Sequence, residues 1–200
     1  MTSLPRPTPE PEPLSDGLFA VQAALQQPRY RASEIPATSS TGLYALYLIH
    51  PEALTGVKVD PLDPLYLGMT ESSLEVRNHF QHVDSSFSSP RRSLGAILRE
   101  KLELRAIPRG TGKTPKDMTN YRFLPPGEER LTEWMAEHLV YCFAVVKDDV
   151  PDAEKILIAR LKPPLNLNGW RNPLRKQLMA LRSQCRDQAR KYSPQGVNSP

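Results

Sequence analysis

The sequence has few cysteines, no long hydrophobic run and no large excess of charge of one sign. Its two cysteines, Cys142 and Cys185, are far apart, which predicts reduced thiols and argues against a disulfide framework or a paired-cysteine zinc site. The longest apolar stretches are strand-sized and fall well short of the roughly 18 residues of a membrane span. Residues 1–16 are rich in proline and lack an apolar stretch, which predicts a disordered tail and no secretory signal. We therefore expect a cytoplasmic protein without a membrane segment.

The basic residues are not spread evenly along the sequence, although the net charge is only +4. Lysine and arginine strongly outnumber acidic residues in residues 91–113 and again in residues 171–192. Two concentrated basic segments favour a polyanionic partner such as a nucleic acid. Because solvated helix faces have the same composition, charge alone leaves both interpretations open.

The pattern of apolar residues predicts a mixed α/β fold. Short apolar runs are typical of buried strands, and they occur at residues 43–49, 65–69 and 138–147. Apolar residues at helical spacing predict helices, the main ones at residues 70–83, 91–104, 151–161 and 173–192. We divide the chain into a tail (1–16), a folded domain (17–170), a basic C-terminal helix (171–192) and a second tail (193–200).

Several common catalytic motifs are missing from the sequence. Residues 109–114 contain Gly-Lys-Thr but lack the spacing and the preceding strand of a phosphate-binding P-loop. The histidines and cysteines do not have the spacing of a zinc site. The chemistry must therefore come from residues that are dispersed along the chain.

An ordered set of such residues is present. Two predicted strands carry Gly42-Leu43-Tyr44 and Tyr66-Leu67-Gly68, and the next predicted helix carries Arg77. A later helix carries Glu154 and is followed by Lys162-Pro163-Pro164-Leu165-Asn166. This order resembles the GIY-YIG nuclease superfamily over residues 41–168. The resemblance implies a central three-stranded sheet flanked by helices, to which the basic C-terminal helix is an addition.

The resemblance also implies a metal-dependent endonuclease that hydrolyses phosphodiester bonds in DNA. Glu154 would hold Mg²⁺ or Mn²⁺, since hard cations prefer oxygen ligands, and Arg77 would bind phosphate. Tyr44 would be the general base or water-orienting group, assisted by Tyr66. An ordinary tyrosine has a pKa near about 10, so a base role requires a stabilising neighbour. If the strand register differs, Tyr47 on the opposite face replaces Tyr44.

One position departs from the family pattern. The family often has His or Tyr four residues after the helix arginine, where this sequence has Gln81. His79 and His82 flank that position, and both stay candidates. The spacing from Arg77 favours His82 as the catalytic histidine, with His79 on the apolar side of the predicted helix.

Further residues are expected to contact the nucleic acid. Arg91 and Arg92 begin a predicted helix, where a bound phosphate would offset their unfavourable interaction with the helix dipole. The resemblance of the Lys162–Asn166 segment implies that Lys162 and Asn166 contact DNA. For Asn166, a turn cap is the alternative, and Asn168 competes with it for the role. DNA is the expected substrate, with RNA left open, and a protein partner is a candidate source of specificity because no separate DNA-reading module is apparent. The alternative function is a non-catalytic nucleic-acid-binding module that retains the fold.

Overall fold

A computed structural model describes residues 14–75, 79–80 and 84–192 of the chain. These residues contain five strands, six helices and two short 3₁₀ turns. The strands are β1 (Gly42–Leu48), β2 (Tyr66–Thr70), β3 (Ala106–Ile107), β4 (Arg122–Phe123) and β5 (Leu139–Val145). The helices are α1 (Asp16–Ala24), α2 (Ser89–Ile97), α3 (Pro115–Thr119), α4 (Pro125–His138), α5 (Val150–Leu161) and α6 (Arg175–Arg190).

The main sheet is antiparallel and has the strand order β2-β1-β5, while β3 and β4 form a separate small ribbon. β1 is therefore central. Tyr44 on β1 lies opposite Gly68 on one side and Phe143 on the other. The three-stranded sheet flanked by helices confirms the expected fold class.

Both faces of the sheet are covered, which explains why β1 reads as a continuous apolar run. Side chains alternate along the strand, so Tyr44 and Leu46 point into a core shared with α2, α4 and α6. Ala45 and Tyr47 point into a second core that is completed by α1 and α5. Tyr44 and Tyr47 thus lie on opposite faces, as the period of two predicts.

The N-terminal boundary differs from the expected tail of residues 1–16. The Ser15 side chain caps α1 by accepting a hydrogen bond from the Leu18 N–H, and Leu14 packs against the second core. Residues 14–16 therefore belong to the folded domain. Residues 1–13 and the predicted tail of 193–200 lie outside the described residues.

The predicted helix at residues 70–83 is not present in the described part of that segment. Thr70 ends β2, and residues 71–75 and 79–80 form bends and turns. The backbone N–H groups of Leu74 and Glu75 donate to the carbonyls of Ser40 and Thr38 in another loop. These bonds replace the helical ones, so the tertiary contact overrides the helical spacing of apolar residues.

Both cysteines are buried and free, as expected, and they lie in different cores. Burial raises the pKa of the Cys142 thiol to about 11, so this thiol is protonated near neutral pH. Within the described ranges, no helix combines the length and the apolar character that crossing a bilayer requires.

Candidate active site

Three hydrogen-bonded side chains link β1 to the start of α2, on the face of the sheet that carries Tyr44. The Tyr44 hydroxyl lies 2.6 Å from Nε2 of His79, and Nδ1 of His79 lies 2.9 Å from Oγ of Ser88. All three side chains are almost completely buried, His79 at 2% and Ser88 at 0% exposure. A tyrosine that was predicted to be catalytic is thus in direct contact with one of the two candidate histidines.

Ser88 connects this hydrogen-bonded group to α2. It is the N-cap of the helix, and its hydroxyl oxygen accepts the Arg91 N–H. The two ring nitrogens of His79 thus join the Tyr44 hydroxyl to the Ser88 hydroxyl, and a neutral His79 ring donates through one nitrogen and accepts through the other.

The glycine of the second motif makes room for this arrangement. A Cβ at Gly68 would overlap the Tyr44 hydroxyl and come within 3.0 Å of the Tyr66 ring. Tyr66 packs beside Tyr44 with ring centroids 6.2 Å apart, and its ring meets His79 edge-on at 6.1 Å. Gly68 therefore allows both tyrosines and His79 to form one aromatic cluster.

A cleft of about 560 Å³ opens at the edge of β2, where the two layers of helices meet. Tyr66 from β2 and Glu154 from α5 line this cleft, and both are half-buried. Arg182 and Arg186 from α6 line it as well. Tyr44 is only 2% exposed and is not among the described residues that line the cleft. The cleft joins Tyr66 to Glu154, and Tyr44 and His79 are packed behind Tyr66.

Asn166 is bonded to β2 at the border of the cleft. Its side chain accepts the Leu67 N–H at 2.9 Å and donates to the Leu67 carbonyl at 2.7 Å, so it continues the hydrogen bonding of the edge strand β2. Asn172 in turn donates to the Asn166 carbonyl. Asn166 thus holds the segment after α5 against β2, and both Asn166 and the exposed Asn168 line the cleft, so the DNA contact of Asn166 stays a prediction. Lys162 is exposed but lines a different cavity.

The structure also differs from the expectation that Arg91 contacts phosphate. Its side chain is fully buried and donates to Oε2 of Glu128 at 2.8 Å. Glu128 additionally accepts the N–H groups of Ser85 and Phe123 and the Ser85 hydroxyl proton. This buried ion pair replaces the phosphate as the partner of Arg91.

Arg91 has a role in positioning His79. One guanidinium nitrogen donates to the backbone carbonyl of His79 at 3.4 Å, and the Arg91 N–H donates to Ser88, which holds the His79 ring. Sequence reasoning missed Ser88 and Glu128 as members of this network. The available signal for Ser88 was its place before a proline at a helix start, which is typical of an N-cap.

Arg92 is 9% exposed, and its guanidinium donates to the carbonyls of Ser85 and Ser86. Burial, and then the positive charge of Arg182, lower its pKa to about 10. Arg92 therefore lies beside the cleft arginines but has its head group already bonded to the backbone.

Two predicted site residues, Arg77 and His82, lie outside the described residues. Within the described ranges, no group of three or more histidine, cysteine or acidic side chains could hold a metal ion together. Glu154 is a single half-buried carboxylate in an open cleft. This donor set fits Mg²⁺, which commonly binds through one or two carboxylates and keeps several waters or substrate phosphate oxygens.

Comparison with known families agrees with this geometry. Residues 49–188, more than half of the chain, match the family model of the GIY-YIG catalytic domain, whose members are nuclease-type domains that act on nucleic acid. The match includes Tyr66, Glu154 and the cleft arginines, while Tyr44 precedes it. No curated protein and no solved structure gives a significant match to the chain. The family match confirms the resemblance seen in the sequence: the chain belongs to the GIY-YIG family.

Proposed function

We propose that this protein is a metal-dependent endonuclease that hydrolyses phosphodiester bonds in DNA. The observation that carries this proposal is the shared cleft of Tyr66 and Glu154, with the Tyr44–His79 pair packed against Tyr66. A purely structural sheet face has no need for a buried histidine bonded to a strand tyrosine.

Glu154 is the proposed ligand of Mg²⁺ or Mn²⁺, and it is the carboxylate of the cleft. The bound cation would supply positive charge for the phosphoryl oxygens and for a water molecule in the cleft. Glu154 reaches the cleft because the first turns of α5 place Ala153 and Leu157 in the second core and leave Glu154 at its edge.

The aromatic cluster is the proposed proton-handling part of the site. Tyr66 presents its ring to the cleft, where its hydroxyl would orient the attacking water. Tyr44 is the proposed base, and His79 holds its oxygen and stabilises negative charge there by hydrogen bonding. Ser88 holds the His79 ring in place from the other side. Arg77, which follows β2 in the sequence, is the proposed phosphate-binding residue.

Replacing Glu154 tests the proposal most directly. Glu154→Gln keeps the size of the side chain and removes the charge, so cleavage of plasmid DNA in Mg²⁺ should be lost while DNA binding is retained. Asp152→Asn is the matched control, because Asp152 is an exposed carboxylate near the start of the same helix and does not line the cleft. The readout is nicking of supercoiled plasmid beside a binding measurement.

The results separate the proposed functions. Wild-type cleavage by the Glu154→Gln variant would contradict the site as assigned. A wild-type protein that binds DNA but cleaves it with neither Mg²⁺ nor Mn²⁺ would instead support a non-catalytic binding module. Cleavage of matched RNA and not DNA would overturn the choice of substrate, since the 2′-hydroxyl is the group that distinguishes them.

A further inference from the structure

Three arginines near the cleft have no acidic partner in the part of the chain that the structure describes. Within the described residues, no carboxylate lies within ion-pair distance of Arg92, Arg182 or Arg186. Arg182 reaches only the Ser89 hydroxyl, at 3.5 Å, and Arg186 only the Ser183 hydroxyl, at 2.8 Å. These bonds satisfy donors but do not balance charge.

Some other arginines of the molecule do have acidic partners. Arg91 pairs with Glu128, Arg109 with Asp117 and Arg190 with Asp187. Arg190 belongs to the same helix as Arg182 and Arg186, but it lies on the exposed side and outside the cleft. Within the described residues, the two arginines of α6 that line the cleft thus lack the kind of partner that Arg190 has.

The positions on α6 explain how two arginines face the same way. Residues 182 and 186 are four positions apart, so their side chains lie one above the other on the helix surface. Leu178, Cys185 and Ala189 are buried in the first core and fix the rotation of the helix. Arg182 and Arg186 are consequently half-buried at the border of the cleft.

Holding like charges together in a partly buried place is unfavourable unless an anion joins them. The Nε atoms of Arg92 and Arg186 are buried and lack an acceptor in the described structure. The lowered pKa of Arg92 has the Arg182 charge as its second cause, after burial. An anion at this border of the cleft would reduce the repulsion and would offer these donors an acceptor.

We propose that Arg182 and Arg186 form a phosphate-binding subsite that holds a backbone phosphate of the nucleic acid in the cleft. The inference rests on the proposed function for the identity of the anion, because Glu154 and Tyr66 line the same cavity. Planar guanidinium groups bind phosphate oxygens in pairs, which suits two arginines at one border. Arg92 supplies long-range positive charge beside them.

The subsite acts on binding and not on the chemical step. A phosphate held in the ground state contributes equally to the substrate complex and to the transition state, so its loss raises KM and leaves kcat nearly unchanged. This expectation distinguishes Arg182 and Arg186 from Glu154, whose loss should abolish turnover.

The test compares two double variants of the same helix. Arg182→Gln with Arg186→Gln removes two charges from the cleft, and Lys176→Gln with Lys191→Gln removes two charges from exposed positions of α6 and its end that do not line the cleft. Binding of a short DNA duplex is measured without divalent metal over a range of salt concentrations. Cleavage in Mg²⁺ gives kcat and KM.

The cleft variant should bind at least about tenfold more weakly and have a salt slope shallower by about 1, as for one lost phosphate contact. The lysine variant should stay close to wild type. Arg182→Lys with Arg186→Lys should recover most of the salt slope, and circular dichroism melting verifies that each variant folds. Inorganic phosphate should raise the melting temperature of wild type more than that of the cleft variant.

Equal binding by wild type and the cleft variant, or equal losses in both double variants, would overturn the subsite. A wild-type protein that binds no duplex and gains no stability from inorganic phosphate would also overturn it. Failure of the nuclease proposal looks different: wild type would not cleave, or Glu154→Gln would cleave normally, while the difference between the double variants would remain.

Discussion

The two faces of the central strand use the same residue type for different purposes. Tyr44 and Tyr47 are both buried on β1, at 2% and 0% exposure, but they enter different cores. Tyr44 meets an ionisable ring, Nε2 of His79, at 2.6 Å. Tyr47 donates its hydroxyl proton to the backbone carbonyl of Leu25 at 2.7 Å. The partner of each hydroxyl decides whether that tyrosine can take part in proton transfer.

Electrostatics separates the faces in the same way. Burial raises the pKa of Tyr47, and the Cys142 thiol beside it adds to that effect. The Arg29 guanidinium lies 4.3 Å from the centre of the Tyr47 ring and acts in the opposite direction without overcoming burial. A neutral Tyr47 suits a packing role. On the other face, the partner of the Tyr44 hydroxyl is a ring nitrogen that can both accept and donate a proton, Nε2 of His79.

The largest expected effect is on catalysis by the Tyr44 face. Tyr44→Phe removes only the hydroxyl and keeps the ring stacked on Tyr141, so the rate should fall by roughly 10²–10⁴ while the fold survives. Tyr47→Phe is the matched change on the opposite face and should leave the rate nearly unaltered. Initial rates of plasmid cleavage, with melting curves of both variants, measure the difference.

The rates of the two tyrosine variants could also differ in the opposite direction. A larger loss of rate in Tyr47→Phe than in Tyr44→Phe would mean that the chemical face of β1 has been assigned wrongly. His79→Gln extends the test, because it should lower the rate if the histidine stabilises the Tyr44 oxygen. An unchanged rate in His79→Gln would limit His79 to packing and leave His82 as the candidate.

A second prediction concerns the network that supports the Tyr44 face. Glu128→Gln leaves Arg91 as a buried charge without a carboxylate, which should cost about 3–5 kcal/mol of unfolding free energy. Glu129→Gln changes the adjacent, exposed glutamate and should cost little. Urea denaturation compares the two, and a population of unfolded Glu128→Gln at room temperature would agree with the estimate.

Similar stabilities for the two glutamate variants would contradict this role of Glu128. The network also reaches the site, since Arg91 bonds the His79 carbonyl. Any Glu128→Gln protein that remains folded should therefore cleave more slowly, whereas Glu129→Gln should not.

The sequence predicted what depends on local pattern. Alternation along residues 43–49 placed Tyr44 and Tyr47 on opposite faces, and the order of the Tyr66 and Glu154 motifs indicated the family, as the fold and the family match confirm. The strand runs were predictable because a central strand must be apolar on both faces.

The errors occurred where tertiary contacts decide. Adjacent arginines at a helix start indicated a phosphate site, yet Arg91 is paired with Glu128, a residue 37 positions away. Asn166 lines the cleft, but the sequence did not indicate that its side chain also bonds β2 across 99 positions. The neighbouring residues in the sequence do not predict partners that are this distant along the chain. The side of α6 that faces the cleft likewise depends on tertiary contacts. It is set by the packing of Leu178, Cys185 and Ala189 in the first core.

The smallest expected effect concerns the contribution of Tyr47 to stability. Tyr47→Phe leaves the buried Leu25 carbonyl without its donor, which should lower the unfolding free energy by about 1–2 kcal/mol with no change in cleavage. Because the pKa of Tyr47 is raised in the folded state, its hydroxyl favours folding fully at pH values below the unfolded value of about 10. Above that pH the unfolded chain loses the proton first, so wild type should lose stability relative to Tyr47→Phe. Urea denaturation of both proteins between neutral and strongly alkaline pH measures this difference. If the stability advantage of wild type over Tyr47→Phe instead grew with rising pH, Tyr47 would be stabilised as a phenolate. The contrast between the two faces of β1 would then fail.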